Sequence, residues 1–148
     1  MKKCIIIYYS FHHANTEKVA AAMAAASGAT VTKVDEMNPA DLADYELIGF
    51  GSGIAYGKHY EKLLKAASGL DLRGKEAFVF STSGIGKEKY NAELRGLLEK
   101  AGAKVVGSFA CKGFDTVGPF RLIGGVSKGH PSDEEIKRAK RFIKGIAG

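Results

Sequence analysis

The chain is poor in the residues that build metal clusters. Its two cysteines, Cys4 and Cys111, lie far apart and form no CxxC pair, which excludes the usual iron–sulfur and zinc frameworks. His12 and His13 are adjacent but lack a compact third and fourth ligand, and His59 and His130 stand apart as surface candidates, so no metal site is expected. Long apolar runs are missing too. Nothing approaches the roughly 20 apolar residues that a membrane span needs. Met1-Lys2-Lys3 and the apolar run behind it superficially resemble a signal peptide. That run stops at Tyr9 without a small-residue cleavage pattern, and helical periodicity follows at once. A cytoplasmic protein with no membrane span is the expectation. GxGxxG is absent after the first apolar run and GxxxxGK[ST] is absent throughout, excluding dinucleotide and P-loop readings. No zinc-finger, RNP or helix-turn-helix signature is present, so nucleic acid is not an expected partner.

What is present is a balanced globular composition. The 148 residues are 45% hydrophobic and 26% charged, enough for one substantial core. The formal charge is +6, and residues 101–148 carry nine Lys/Arg against four Asp/Glu. That excess favours attraction toward an acidic partner or a phosphorylated ligand. Apolar runs recur at Cys4–Tyr9, Ala29–Val34, Leu47–Gly51, Ala77–Ser81 and Val105–Ala110. Most are apolar on consecutive residues, as strands buried on both faces of a parallel sheet would be. Between them, Val19, Ala22, Met23 and Ala26 share one helical face, as do Tyr60, Leu63, Leu64 and Ala67, and then Leu94, Leu97, Leu98 and Ala101. Asn38-Pro39 caps a short helical turn. Pro131-Ser132, with Glu135 three residues after the serine, opens a final helix whose end is loaded with lysine and arginine.

Strand and helix therefore alternate through residues 1–148 as one α/β domain. Right-handed crossovers leave few sheet orders. The doubly wound order 2-1-3-4-5 brings the loops after strands one, three and four around one crevice at the carboxyl edge.

Those three loops hold the candidate site. The first, Ser10 to Thr16, passes from strand to helix and is crowded with hydroxyl, amide and imidazole groups, with no acidic side chain. Free amides and the positive dipole end of a helix make such a loop a seat for a phosphate. After the third strand comes Gly49-Phe-Gly51-Ser52-Gly53-Ile54-Ala55-Tyr56-Gly57-Lys58, and after the fourth Ser81-Thr82-Ser83-Gly84-Ile85-Gly86-Lys87. Both are rich in glycine and hydroxyls, which lets backbone approach a flat ligand, and Tyr56 is the aromatic placed to cover a ring face. A phosphorylation receiver would need acidic residues after strand one and an aspartate after strand three; Tyr9-Ser10 and Gly51-Ser52 stand there instead. Cys111 reads as a buried thiol. The long glycine-rich segment after Asp115, through Pro119, Gly124 and Gly125 to His130, offers the alternative of a rim beside the crevice that brings Cys111 or Phe114 to a partner surface.

On these loops the chain resembles the flavodoxin family over nearly its whole length. Ser10 to Thr16 is similar to the family's Ser/Thr-x-Thr-Gly-x-Thr phosphate loop. The Asn15-Thr16 end matches. The loop is one residue longer, with Ala14 where glycine is usual and His12 and His13 where a hydroxyl is usual. The resemblance implies a flavodoxin-like three-layer sandwich with a five-stranded parallel sheet. It also implies an FMN site on Ser10, His12, His13, Ala14, Asn15, Thr16, Gly53, Ile54, Ala55, Tyr56, Gly57, Thr82, Ser83 and Gly84. The implied function is electron transfer between redox partner proteins, with FMN cycling through semiquinone and hydroquinone. The rival is an FMN-dependent quinone or NAD(P)H reductase or a protoporphyrinogen-oxidase-like enzyme, favoured by the basic charge where family carriers are usually acidic. A third class, a flavodoxin-like interaction module, is disfavoured by three ligand-type loops.

Two predictions follow from the departures. If an imidazole helps hold the phosphate, His12→Ala or His13→Ala weakens FMN binding in a titration; unchanged affinity in both variants rejects the idea. Many family members carry an acidic residue after the glycine of the strand-three loop, whereas this chain has Lys58. A nearby cation favours the anionic reduced flavin, so Lys58→Glu makes the semiquinone/hydroquinone potential more negative. A potential that does not move contradicts this.

Overall fold

In the computed structural model, which describes residues 1–10, 14–114 and 125–148, the apolar runs form a sheet. Strands β1 (Cys4–Tyr9), β2 (Thr30–Lys33), β3 (Leu47–Ala55), β5 (Glu76–Ser83) and β6 (Lys104–Lys112) lie in the order β2-β1-β3-β5-β6. All four neighbouring pairs are parallel. Numbered without the short β4 (Lys58–His59), this is the expected 2-1-3-4-5. β4 itself was not expected. It pairs antiparallel with the end of β3, Ile54 opposite His59 and Ala55 opposite Lys58.

Helices cover both faces: α1 (Asn15–Ser27) and α4 (Asp133–Ala147) on one, α2 (Glu61–Ser68) and α3 (Ala92–Lys100) on the other. Successive strand residues alternate between the two cores. Ile5, Ile7, Ile48, Phe50 and Val79 pack with Leu63, Leu94 and Leu98, while Ile6, Leu47, Phe78 and Phe80 pack with Val19, Met23 and Ile143. This two-sided burial explains why the strands read as continuous apolar runs. The edge strand β2 is the exception, half or fully exposed along its length.

The caps formed as the sequence dictates. Asn38 Oδ1 accepts from the Ala40 amide at 3.1 Å, ahead of a 3₁₀ stretch over Pro39–Asp44. Ser132 and Glu135 make a reciprocal capping box at the start of α4. Both thiols are buried, Cys4 3% and Cys111 2% exposed. Burial pushes each up to about 12, with the Glu135 charge adding to the effect at Cys111. Cys111 is thus no rim nucleophile.

One expectation needs correction. Gly49 and Gly51 are not loop residues open to a ligand; they lie inside β3, directly opposite Phe78 and Phe80 of β5. A β-carbon at Gly49 would stand 2.2 Å from Phe78 Cζ, and one at Gly51 2.3 Å from Phe80 Cζ. The glycines make room for the two rings. Gly51→Ala should therefore destabilise the protein by about 2 kcal/mol or more in a urea denaturation series. A loss below about 0.5 kcal/mol, the range of neutral surface changes, would contradict this packing.

Candidate functional site at the carboxyl edge

The carboxyl ends of β1, β3 and β5 converge with the start of α1, as the sheet order requires. His12 and His13 fall outside the described residues; the remaining predicted residues can be placed. Ala14 caps α1 in the left-handed conformation, φ 52°, and contributes no side-chain hydrogen bond, so the first amides of a 13-residue helix have no side-chain cap. Left-handed backbone strains a residue with a β-carbon. A glycine would adopt it freely.

Asn15 and Thr16 are buried and tie α1 to the segment just past β6 and to β5. Asn15 donates through Nδ2 to the Phe114 carbonyl at 2.7 Å, and Gly113 leaves room for the amide. Thr16 Oγ1 lies 3.0 Å from Thr82 Oγ1. These two hydroxyls, from separate predicted loops, therefore satisfy each other. Ser83 Oγ accepts from the Gly86 amide at 2.6 Å, and the Gly84 carbonyl accepts from Ser127 Oγ at 2.6 Å. The loop after β5 is thus fastened to the segment that precedes α4. Three buried polar atoms have no partner among the described residues: Ser10 Oγ, Asn15 Oδ1 and Ser81 Oγ. All three belong to this edge of the sheet.

The β3 segment differs from its expected form. Gly53, Ile54 and Ala55 continue the strand rather than a loop. Pairing with β5 runs to Gly53, and β4 holds the last two residues. Tyr56 and Gly57 form the turn, both with positive φ, 53° and 79°. Two such residues suit a tight hairpin connection. Tyr56 stands 80% exposed.

Beneath this hairpin lies a buried network that the sequence reading missed. His59 is 4% exposed, not a surface residue. Its Nδ1 is 2.6 Å from Ser52 Oγ, and its Nε2 is 2.7 Å from Asn91 Oδ1. Asn91 is oriented by donating through Nδ2 to the Phe109 carbonyl and Ser108 Oγ, both at 3.0 Å. Its Oδ1 therefore accepts, which places the imidazole proton on Nε2 and leaves Nδ1 to accept from Ser52. Burial pushes His59 down to about 4, against an opposing effect of the Asn91 hydrogen bond. A hairpin on β3 is thereby bolted to β6 across β5. A Tyr-Gly turn lacks the Asn-Gly signal of a hairpin, and nothing else in the sequence pointed to β4.

His130 also has a partner. Its Nδ1 contacts Glu135 Oε1, and Glu135 accepts in addition from the amides of Ser132 and Lys112. Burial raises Glu135, but hydrogen bonds from Ser132, His130 and Lys112 outweigh it and hold the carboxyl below its usual range. Among the described residues no group of three His, Cys, Asp or Glu side chains could hold a metal ion.

A family model described as a flavodoxin domain matches residues 6–113. The chain belongs to the flavodoxin family. An uncharacterized protein of Methanocaldococcus jannaschii is 42% identical over 146 residues, covering 97% of each chain. Among solved structures, oxidised Flavodoxin 2 of Bacillus cereus matches with a TM-score of 0.72 at 19% identity, over 98% of this chain and 97% of that one. A Fusobacterium nucleatum flavodoxin bound to flavin mononucleotide matches with a TM-score of 0.67 at 15% identity, over 99% and 97%. These likenesses show the flavodoxin fold. No helix among the described residues is long and apolar enough to cross a membrane.

In this family member the His59 network has a pH signature. The unfolded histidine takes up a proton near its ordinary value of 6.5, while burial lets the folded one resist protonation down to about 4. Between those values the unfolded state binds more protons, so stability rises with pH through the window and falls as pH drops. The slope for one proton is about 1.4 kcal/mol per pH unit, up to about 3 kcal/mol in all. Glu135 acts lower, below its own unfolded range. Urea denaturation of His59→Gln from pH 4 to 6.5 should lose this component of the slope. A slope equal to that of the parent chain would contradict a buried neutral imidazole.

Proposed function

We propose that the chain binds FMN at the carboxyl edge and carries single electrons between redox proteins. The observation that carries this reading is that Ser10 Oγ and Asn15 Oδ1, at the uncapped start of α1, and Ser81 Oγ, toward the carboxyl end of β5, are buried and unpartnered among the described residues. Each unmade hydrogen bond of a buried polar group costs about 1–3 kcal/mol. A polar ligand at this edge would offset that cost. The residues present fit FMN: a hydroxyl and free helix amides for a phosphate, and a positive-φ turn carrying an exposed aromatic for a ring. Family membership and the flavin-bound fold neighbour support the same ligand.

When bound, FMN supplies the redox chemistry, so the chain itself needs no acid, base or nucleophile. Its residues bind and orient. Ser10 and the first amides of α1 would hold the phosphate. Asn15, Thr16 and Thr82 fix the position of the helix start against β5 and the end of β6. The Tyr56-Gly57 turn would flank the ring, held in place through His59 and Asn91. Lys58, next to that turn, supplies positive charge.

A second reading, an FMN-dependent reductase, is favoured by one feature. A cleft of about 270 Å³ beside the same edge is lined by Tyr8, Tyr9, Ser10, Ala14, Glu17, Lys33 and Asp35, large enough to seat part of a small substrate. Anaerobic titration of the FMN-loaded protein separates the readings. Reduction in two resolved one-electron steps, without NAD(P)H oxidation, is expected. Rapid two-electron reduction by NAD(P)H would favour the reductase, and failure to bind FMN would overturn both.

A further inference from the structure

We infer that His130 and Glu135 are positioning residues for the ligand site: they clasp the segment after β6 to the start of α4, and the clasp sets Asn15 and the loop after β5. This rests on the flavin reading and adds to it two residues outside all three predicted loops.

Glu135, at 9% exposure, is the one buried carboxylate among the described residues. A helix cap alone would use one of its oxygens. Here Oε1 accepts from the Ser132 amide at 2.8 Å and contacts His130 Nδ1, while Oε2 accepts from the Lys112 amide at 2.9 Å. An ionised carboxylate only accepts, so Nδ1 carries the imidazole proton. One oxygen thus serves the start of α4 and the other the last residue of β6. Arg138 adds a second tie, donating through Nη2 to the Ala110 carbonyl at 3.2 Å.

The backbone carries this anchorage to the site. The His130 carbonyl accepts from the Phe114 amide at 3.0 Å, and the His130 amide donates to the Ser127 carbonyl at 3.2 Å. The Phe114 carbonyl accepts from Nδ2 of Asn15, the first residue of α1, at 2.7 Å. That bond fixes the amide: the atom facing a carbonyl is the nitrogen, so the buried atom left unpartnered is the acceptor Oδ1. Gly113 leaves little slack, since a β-carbon there would stand 2.6 Å from Asn15 Nδ2. On the side of the loop after β5, the Gly113 amide donates to the Ser83 carbonyl at 2.9 Å, and Ser127 Oγ to the Gly84 carbonyl at 2.6 Å. Both the start of α1 and that loop therefore lean on residues 113–114 and 127–130.

The charge of Glu135 is what lets one side chain serve donors on two sides. Glutamine has the same size but one acceptor, and its NH2 would oppose either the Lys112 amide or the Ser132 and His130 donors.

The test uses the full ¹⁵N-labelled chain and two readouts: the Asn15 side-chain amide resonances without ligand, and FMN affinity from quenching of flavin fluorescence. Glu135→Gln should move the Asn15 resonances toward solvent values and weaken FMN binding at least ~tenfold. His130→Leu should do the same to a smaller degree, at least ~threefold. His130→Asn, whose Nδ2 stands where Nδ1 did, should recover affinity to within ~twofold of the parent chain. Ser132→Ala controls for a merely structural role: it removes the side-chain cap of α4, should leave the Asn15 resonances in place and should cost less than ~twofold in affinity. An unmoved Asn15 signal in Glu135→Gln would overturn the proposal, as would equal loss of affinity in Ser132→Ala and Glu135→Gln. His130→Asn behaving like His130→Leu would overturn it too, and this pair decides alone should Glu135→Gln not fold. Asn15 resonances that respond as expected in a chain that binds no FMN would support the clasp and overturn the flavin reading.

Discussion

Much of this structure depends on how β3, the middle strand of the sheet, accommodates its neighbour. Phe78 and Phe80 of β5 need space on the face covered by α1 and α4, and the absent side chains of Gly49 and Gly51 provide it. The same device recurs at Gly107, where a β-carbon would meet the Phe142 ring at 2.9 Å. Large rings set over glycine keep neighbouring strands at normal spacing while filling the core to native density. Because β3 is held this way from the amino edge upward, it continues well past its apolar run and delivers the Tyr56-Gly57 turn to the carboxyl edge.

That extension needs its own support. Beyond Gly53 the strand has no β5 partner, and a two-stranded hairpin alone would be marginal. His59 answers this by spanning from Ser52 to Asn91, and Asn91 reaches the β6 backbone. Each polar atom drawn into the network has a partner, which is the condition for a buried polar cluster to rigidify rather than weaken a core. The positions that would flank a flavin ring therefore sit on a braced arm. The phosphate end is braced differently, by Asn15 on the Phe114 carbonyl and Thr16 on Thr82.

The family and the sheet order were legible in the sequence because two-sided burial writes itself as continuous apolar runs, and the capping residues Asn38 and Ser132 act locally. The carboxyl ends of the strands were not legible. Gly53, Ser81 and Thr82 look like loop residues, yet neighbouring backbone pairs them regardless of side chain. Glycine carried a double meaning: Gly57 serves a turn, whereas Gly49 and Gly51 serve ring packing, and composition cannot separate these uses. His59 was misread for a related reason. Its burial is set by Ser52 and Asn91, 7 and 32 residues away in sequence, contacts that only the fold reveals.

The central claim is that the unpartnered polar atoms and the braced hairpin form one flavin seat. The most direct measurement is a titration of FMN into the flavin-free, ¹⁵N-labelled chain, followed by amide shifts. The account predicts saturation at one equivalent, with changes at Ser10, Asn15 and Thr16, at residues 53–57 and at residues 81–86. Absence of saturable change, or changes confined to Tyr8, Glu17, Lys33 and Asp35 beside β2, would contradict it.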